Sequence, residues 1–281
     1  MKLLFVLCEG PHDAQFVGRL MEESTLYLPY IEPLKNYPAP LSKFFINMIS
    51  KKSVDTMRIG KPDFSLLPIC AYRSVEPENL VFPIAMGGMD KYIITIKLIN
   101  EIEEAFAADT LSVDGSDIDG FSILFLFDAD SRGVAATLEL FVARFKQLYP
   151  AIDTEVHSHW IRQRGHWLSA FIFTDKTNDT GVLEDILLDL FRSKAPTRVA
   201  DTEQHFQTHF EQLKPESDTI AHEAKRKKGI LTSCGQMEKK NAGSALTVVL
   251  RDTELLSGAF DFQAQDSQWS RLLNRINDTF K

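Results

Sequence analysis

The stretch Leu3-Leu4-Phe5-Val6-Leu7-Cys8-Glu9-Gly10-Pro11-His12-Asp13 decides how this chain folds. Six consecutive apolar residues are the mark of a strand buried on both faces, as in a parallel sheet. The run stops abruptly at a carboxylate. It acquires its meaning from a second run, Ile123 to Phe127, which ends in Asp128-Ala129-Asp130. A buried strand needs no acid at its tip for stability. Open α/β sheets place their chemistry outside the C-terminal ends of parallel strands. Two such ends carrying acids point to a divalent-metal site.

Working outward, Gly10 allows a tight turn and Pro11 suits the first helical position. The spacing predicts a helix over 12–24, with Phe16, Val17, Leu20 and Met21 on one face. Residues 27–62 break the rhythm with Pro29, Pro33, Pro38 and Pro40, then a short amphipathic helix over 41–51. Strands are expected at 64–71 and 79–85, and Gly87-Gly88 precedes a helix over 90–107. A polar loop, Asp114 to Gly120, leads to the apolar strand 121–127. A helix follows from Gly133 to about 148, ended by Pro150. Residues 154–161 and 167–173 read as strands, and 181–193 as a helix. The remainder, about 200–281, reads mostly as polar helix with one basic cluster, Lys225-Arg226-Lys227-Lys228. Alternating strand and helix up to about 175 imply an α/β fold: a mainly parallel sheet flanked by helices on both faces. The expected organisation is an α/β domain at 1–195, with an insertion near 26–78, and a mostly helical extension at 196–281.

The chain has 281 residues, 44% hydrophobic and 25% charged, the composition of a globular protein. It has no apolar run of about eighteen residues, so no membrane partner is expected. Met1-Lys2 leads directly into the first strand, which reads as a chain without a signal peptide. Three cysteines, Cys8, Cys70 and Cys234, lie far apart without a C-x-x-C. They read as reduced thiols, and the expected location is cytoplasmic. The net charge of −8 argues against a dedicated nucleic-acid coat. An enzyme that touches nucleic acid through one local basic patch stays compatible with it, and a bound cation offsets acidic charge at the site itself.

At a strand tip, residues i and i+2 point to the same side, so Asp128 and Asp130 can face one small hard cation. Mg²⁺ suits such a site, because it takes a few carboxylates and binds substrate phosphates. Other readings of the same residues are available. Asp128 to Glu139 matches the ends of a calcium EF-hand loop with Gly133 in the turn, but Arg132 stands where an oxygen ligand belongs and a strand precedes it. Asp-x-Asp after an apolar strand also resembles haloacid-dehalogenase-like phosphatases, with Asp128 as nucleophile. That family has Thr or Val two residues beyond the second Asp, where this chain has Arg132. A third role, helix capping, is compatible with metal binding. Glu9 can act as general base or ligand. Asp13, in the first turn of its helix, can face back toward the strand end or simply cap.

The combination is more specific than its parts. Glu9-Gly10-x-x-Asp13 after the first strand, then Asp128-x-Asp130 and Gly133 after a later one, resemble the Toprim domain of topoisomerases, bacterial primases, recombination mediators and overcoming-lysogenisation-defect nucleases. The resemblance covers about residues 1–175, interrupted at 26–78. It is closest to small bacterial Toprim-like proteins related to the nuclease branch. It implies that Glu9 is a base or metal ligand, that Asp128 and Asp130 bind Mg²⁺ (or Mn²⁺), and that Asp13 supports the site. Gly181-Val182-Leu183-Glu184-Asp185 resembles a stretch of that group, and Glu184 would supply a further metal-binding acid. Lys225 and Lys228 are the basic residues expected to face a scissile phosphate, with a solvated helix face as the plainer reading. Lys239 and Lys240 extend the patch. His157 and His159 can share a strand face but lack a third ligand at metal spacing, so ordinary packing or a substrate-facing surface is expected there.

The function implied is a metal-dependent nuclease acting on DNA or RNA. The alternatives are a non-catalytic Toprim-fold module working with a partner, and the phosphatase. There is no G-x-x-x-x-G-K-[ST], so any ATPase partner would be a separate chain. The sequence sets no oligomeric state.

Overall fold

The N-terminal apolar run becomes β1 (Lys2–Cys8), and every residue from Leu3 to Cys8 is fully buried. Alternate side chains on a strand point to opposite faces. Leu4, Val6 and Cys8 therefore enter one core layer, and Leu3, Phe5 and Leu7 the other. The computed structural model describes residues 1–50, 67–109, 118–175, 178–209 and 219–281.

After β1 come α1 (Pro11–Ser24), β2 (Tyr27–Pro29), α2 (Leu41–Ser50), β3 (Tyr72–Ser74), β4 (Leu80–Ala85) and α3 (Tyr92–Asp109). Then follow β5 (Gly120–Asp128), α4 (Gly133–Phe145), β6 (Ile161–Gln163), β7 (His166–Phe173) and α5 (Leu183–Lys194). The chain ends with α6 (Pro196–His209), α7 (Thr219–Gln236), α8 (Leu246–Asp252) and α9 (Gln268–Asp278). The strands form one mostly parallel seven-stranded sheet in the order β2-β3-β4-β1-β5-β7-β6. β4, β1, β5 and β7 run parallel, while β2, β3 and β6 are short antiparallel edges. Phe5 of β1 stands between Phe82 of β4 and Ile123 of β5. One register therefore fixes three strands whose C-terminal ends lie side by side.

The helices divide between the faces. α2, α3 and α4 pack on the layer containing Phe5, Phe82 and Phe125. α1 and α5 to α9 pack on the layer containing Val6, Leu124 and Phe171. The tail expected as an extension at 196–281 is thus part of the main core. Its helices bury Val199, Ile230, Leu250, Leu272 and Ile276 in the same layer as α1 and α5. An amphipathic helix needs an apolar partner, and this face of the sheet offers one.

The edges differ most from expectation. The strand expected at 64–71 falls partly outside the described residues, as does most of the loop expected from Asp114. The pairing instead lies at β3, which bonds antiparallel to β4 and to β2, where a loop was expected. The strand expected at 154–161 begins as a 3₁₀ turn, Thr154–His157, because the Asp153 carboxylate accepts the Glu155 N–H at 2.9 Å. Short edge strands carry too few residues to show a period. Among the described residues, no helix is long and apolar enough to cross a membrane.

His166 marks the N-terminal end of β7. It is buried, stacks on Phe121, and meets the Tyr149 hydroxyl at 2.9 Å from Nε2. Burial, and then the Arg164 guanidinium, lower its pKa from 6.5 to about 4. Between those values the unfolded chain binds the proton and the folded chain does not. Its stabilising contribution is therefore present above pH 6.5 and declines as pH falls toward 4. His166→Gln should lose less Tm than the wild type on acidification across that window. Equal slopes in thermal melts would contradict the assignment.

Candidate functional site

Glu9 is the first residue beyond β1. Its N–H donates to the Leu126 carbonyl at 3.1 Å, and its own carbonyl accepts from Gly87 and Gly88 at 3.0 and 2.8 Å. Both glycines have positive φ, 84° and 103°, a backbone that side-chain-bearing residues adopt at a cost. The Gly87-Gly88 turn thereby holds Glu9 from the β4 side, as β5 holds it from the other.

Asp13 lies in the first turn of α1 and is buried. Its Oδ2 accepts the Gly10 N–H at 2.5 Å, so it caps the helix while facing the strand ends. Asp128 is the last residue of β5, and its N–H lies 3.5 Å from Glu9 Oε2. Its Oδ1 accepts the Leu183 N–H at 2.8 Å, which draws the N-terminus of α5 onto the strand tip. The next residue, Glu184, is only 3% exposed. Asp185 caps the same turn by accepting the Val182 N–H at 3.1 Å. The positive N-terminal ends of α1 and α5 thus both meet the carboxylates.

α7 supplies the cations. Lys228 Nζ lies 3.5 Å from Glu184 Oε1, and Lys227 Nζ lies 2.5 Å from Asp185 Oδ1. Gly229 lets α7 pack closely on α6, since a Cβ there would run into the Phe206 ring. Lys225 is exposed, and none of the described ion pairs joins it to the cluster. A helix turns about 100° per residue, so four consecutive basic residues cannot all face α5. The sequence marked the cluster but not which members point inward. Lys227 with Asp185 was not singled out, and nothing short of the α5–α7 packing identifies that pair.

Asp130 departs from expectation. Its φ is +50°, and it exchanges two backbone hydrogen bonds with Gly181, at 2.8 and 2.9 Å. β5 ends at Asp128, so the two-residue alternation does not extend to Asp130. Its carboxylate sits partly exposed at the rim, 3.2 Å from Arg132 Nη2. Its charge nonetheless reaches Glu9. His157 and His159 do not join the site: His157 is half-buried against Phe171, with its pKa lowered by burial and then by Arg275 and Arg271.

Glu9, Asp13, Asp128 and Glu184 therefore converge from three distant segments, with Lys228 at their edge. Burial, then Asp130, raises the Glu9 pKa. Burial, then Glu184 and Glu9, pushes Asp13 up to about 7. Burial, then Asp13, Glu184 and Glu9, holds Asp128 well above the usual carboxylate range, against the pull of the Leu183 N–H. Burial raises Glu184, opposed by Lys228. Burial works against the charge of Lys228, but Glu184, Asp13 and Asp128 outweigh it and raise its pKa. His12, beside Asp13, is lowered to about 4 by burial and then by Lys228.

Like charges gathered away from water must be protonated or met by a cation. The donor set is all oxygen, which is the chemistry of a hard divalent cation. Among the described residues, no group of three acids, histidines or cysteines stands arranged to hold a metal ion.

No protein-family model matches the chain, and no curated protein matches it. Among solved structures, a hypothetical protein from Pyrococcus horikoshii OT3 is similar, with a TM-score of 0.49 and 13% identity over 99% of this chain and 96% of that one.

A folded-state carboxyl with a raised pKa keeps a proton that the unfolded chain has released. The Asp13 contribution therefore declines as pH rises from 3.8 through about 7. Asp128→Asn removes one of the clustered charges and keeps the acceptor for Leu183. Without added metal at neutral pH it should raise Tm by roughly 2–4 °C, the effect of about 1 kcal/mol in a chain of this size. Lys228→Met should lower Tm and Lys225→Met should leave it unchanged. A fall for Asp128→Asn, or equal effects of the two lysine variants, would contradict this electrostatic account.

Proposed function

We propose that this chain is a Toprim-type, divalent-metal-dependent protein that processes phosphodiesters, acting as a nuclease on DNA or RNA. One observation carries the reading. Four carboxylates, buried Asp13 and Glu184 and half-buried Glu9 and Asp128, meet at the C-terminal ends of adjacent parallel strands, where Glu9-Gly-x-x-Asp13 and Asp128-x-Asp130 fall in the order of that family's motifs. Glu9, Asp128 and Glu184 would hold Mg²⁺ or Mn²⁺ once their side chains draw together around it, with Asp130 at the rim. When bound, the cation supplies Lewis-acid stabilisation of charge on a phosphoryl group and favours deprotonation of an attacking water.

The chain's own residues have distinct tasks. Asp13, pushed up to about 7, can hold or release a proton near neutral pH, which suits it to pass one to or from Glu9. Lys228 keeps a positive charge at the cluster's edge, where it can balance charge developing on a scissile phosphate. The pairing of Lys227 with Asp185 keeps α7 against α5, so that Lys228 stays within reach. The phosphatase reading has less support: Asp128 is half-buried, bonded to the Leu183 N–H and held toward its protonated form, which is a poor nucleophile.

The test is cleavage of single- and double-stranded DNA and RNA with Mg²⁺ or Mn²⁺. Glu9→Gln and Asp128→Asn should each lower the rate by about 10²–10⁴, the usual contribution of a positioned acid–base group or more. Lys228→Met should lower the rate far more than Lys225→Met. Metal-dependent cleavage undiminished in Glu9→Gln or Asp128→Asn would remove the site assignment. Metal binding without cleavage of any nucleic acid would favour a non-catalytic module.

A further inference from the structure

A second concave site lies farther along α1, at the edge of the sheet. It encloses about 560 Å³ between α1, the segments 29–37 and 67–72, β4 and α8. Such a volume holds a small organic molecule. One wall is aromatic, formed by Tyr30, Tyr37, Phe45 and Phe82. These rings brace one another edge-on, with Tyr30 and Tyr37 at 5.1 Å and Phe45 and Phe82 at 5.5 Å.

The opposite wall is α1, and it carries the polar groups. Gln15 lines the cavity and is only 6% exposed, yet its amide makes no hydrogen bond among the described residues. Its amide atoms are not sealed from solvent: they border the open space of the cavity, where a ligand's donors and acceptors can meet them. Two turns along the same helix face stands Glu22. Its Oε1 accepts the Tyr72 hydroxyl at 2.8 Å, and a carboxylate has lone pairs for further donors. Between them Gly18 lets α1 lie close against the segment 70–72, since a Cβ there would come 2.9 Å from the Tyr72 hydroxyl and 3.1 Å from Cys70 Sγ. Gln15 and Glu22 are about 10 Å apart along the helix axis, comparable with the long dimension of a nucleoside. The charge of the lining selects further. Glu22 and Glu32 are acidic, and the one lining arginine, Arg251, is already paired with Asp252 at 2.7 Å.

We infer that this cleft binds an uncharged nucleoside-like molecule: a planar ring against the aromatic wall, its amide or amidine edge on Gln15, its hydroxyls on Glu22. A phosphorylated ligand would bring its charge against Glu22 and Glu32 and bind more weakly. The site is separate from the carboxylate cluster and does not depend on the metal reading.

The experiment is calorimetric titration of the full chain with adenosine, guanosine, cytidine and uridine, and with AMP and a dinucleotide. At least one nucleoside should bind, more tightly than AMP or the dinucleotide. Gln15→Leu should weaken it about tenfold, the loss of one hydrogen bond to the ligand. Gln15→Asn, which keeps the amide but draws it back, should weaken binding too and serves if the leucine variant does not fold. Asp128→Asn should leave nucleoside binding unchanged. No binding at millimolar nucleoside, tighter binding of AMP, or equal affinity in the folded Gln15 variants would overturn the inference.

Discussion

The interaction on which the site depends is the bond from the Leu183 N–H to the Asp128 carboxylate, 2.8 Å long and partly shielded from water. It ties the tip of β5 to the start of α5. Without it, Glu184 would have no reason to lie beside Asp13 and Asp128. Glu184 in turn attracts Lys228, and Lys227 pairs with Asp185 on the same turn. The packing of α7 on α5, and hence of much of the C-terminal segment on the sheet, runs through this junction. The consequence is a concentration of negative charge that the fold alone balances poorly. A protein interior tolerates such a group of acids only with protons or a cation. Without a cation these residues therefore cost stability, and the proposed function would turn the same charge to use.

Much of this was legible in the sequence, for a physical reason. β1 and β5 are buried on both faces, so their composition is nearly unmixed, and the acid that ends each run stands out against it. Pro11 and the apolar spacing of α1, and the Gly87-Gly88 turn, are local signals as well. These elements place Glu9, Asp13 and Asp128 with no knowledge of tertiary structure. What was illegible depended on contacts between distant segments. The left-handed backbone of Asp130 follows from its bridge to Gly181, far along the chain. The inward direction of Lys227 and Lys228, rather than Lys225, follows from the packing of α7 on α5, which sets Lys227 on Asp185 and Lys228 on Glu184. The tail looked like an extension because its helices are polar on average, although each carries the narrow apolar face that fills the layer against α1.

α1 has two tasks. Its first turn places Asp13 at the carboxylate cluster, and its next turns form one wall of the cleft at the sheet edge. The segment 29–37 and α2, which interrupt the alternation of strand and helix, supply that cleft's aromatic wall. What reads in sequence as an insertion into the α/β pattern is, in the fold, the other half of a cavity.

The central claim is that the buried acids form a cation site. Its most direct test is a crystal structure of the protein soaked in millimolar Mn²⁺, with the anomalous signal of manganese locating the ion. The account expects a peak ligated by Glu9, Asp128 and Glu184. A clean anomalous map with no manganese at these residues, in crystals that diffract well enough to show one, would contradict it.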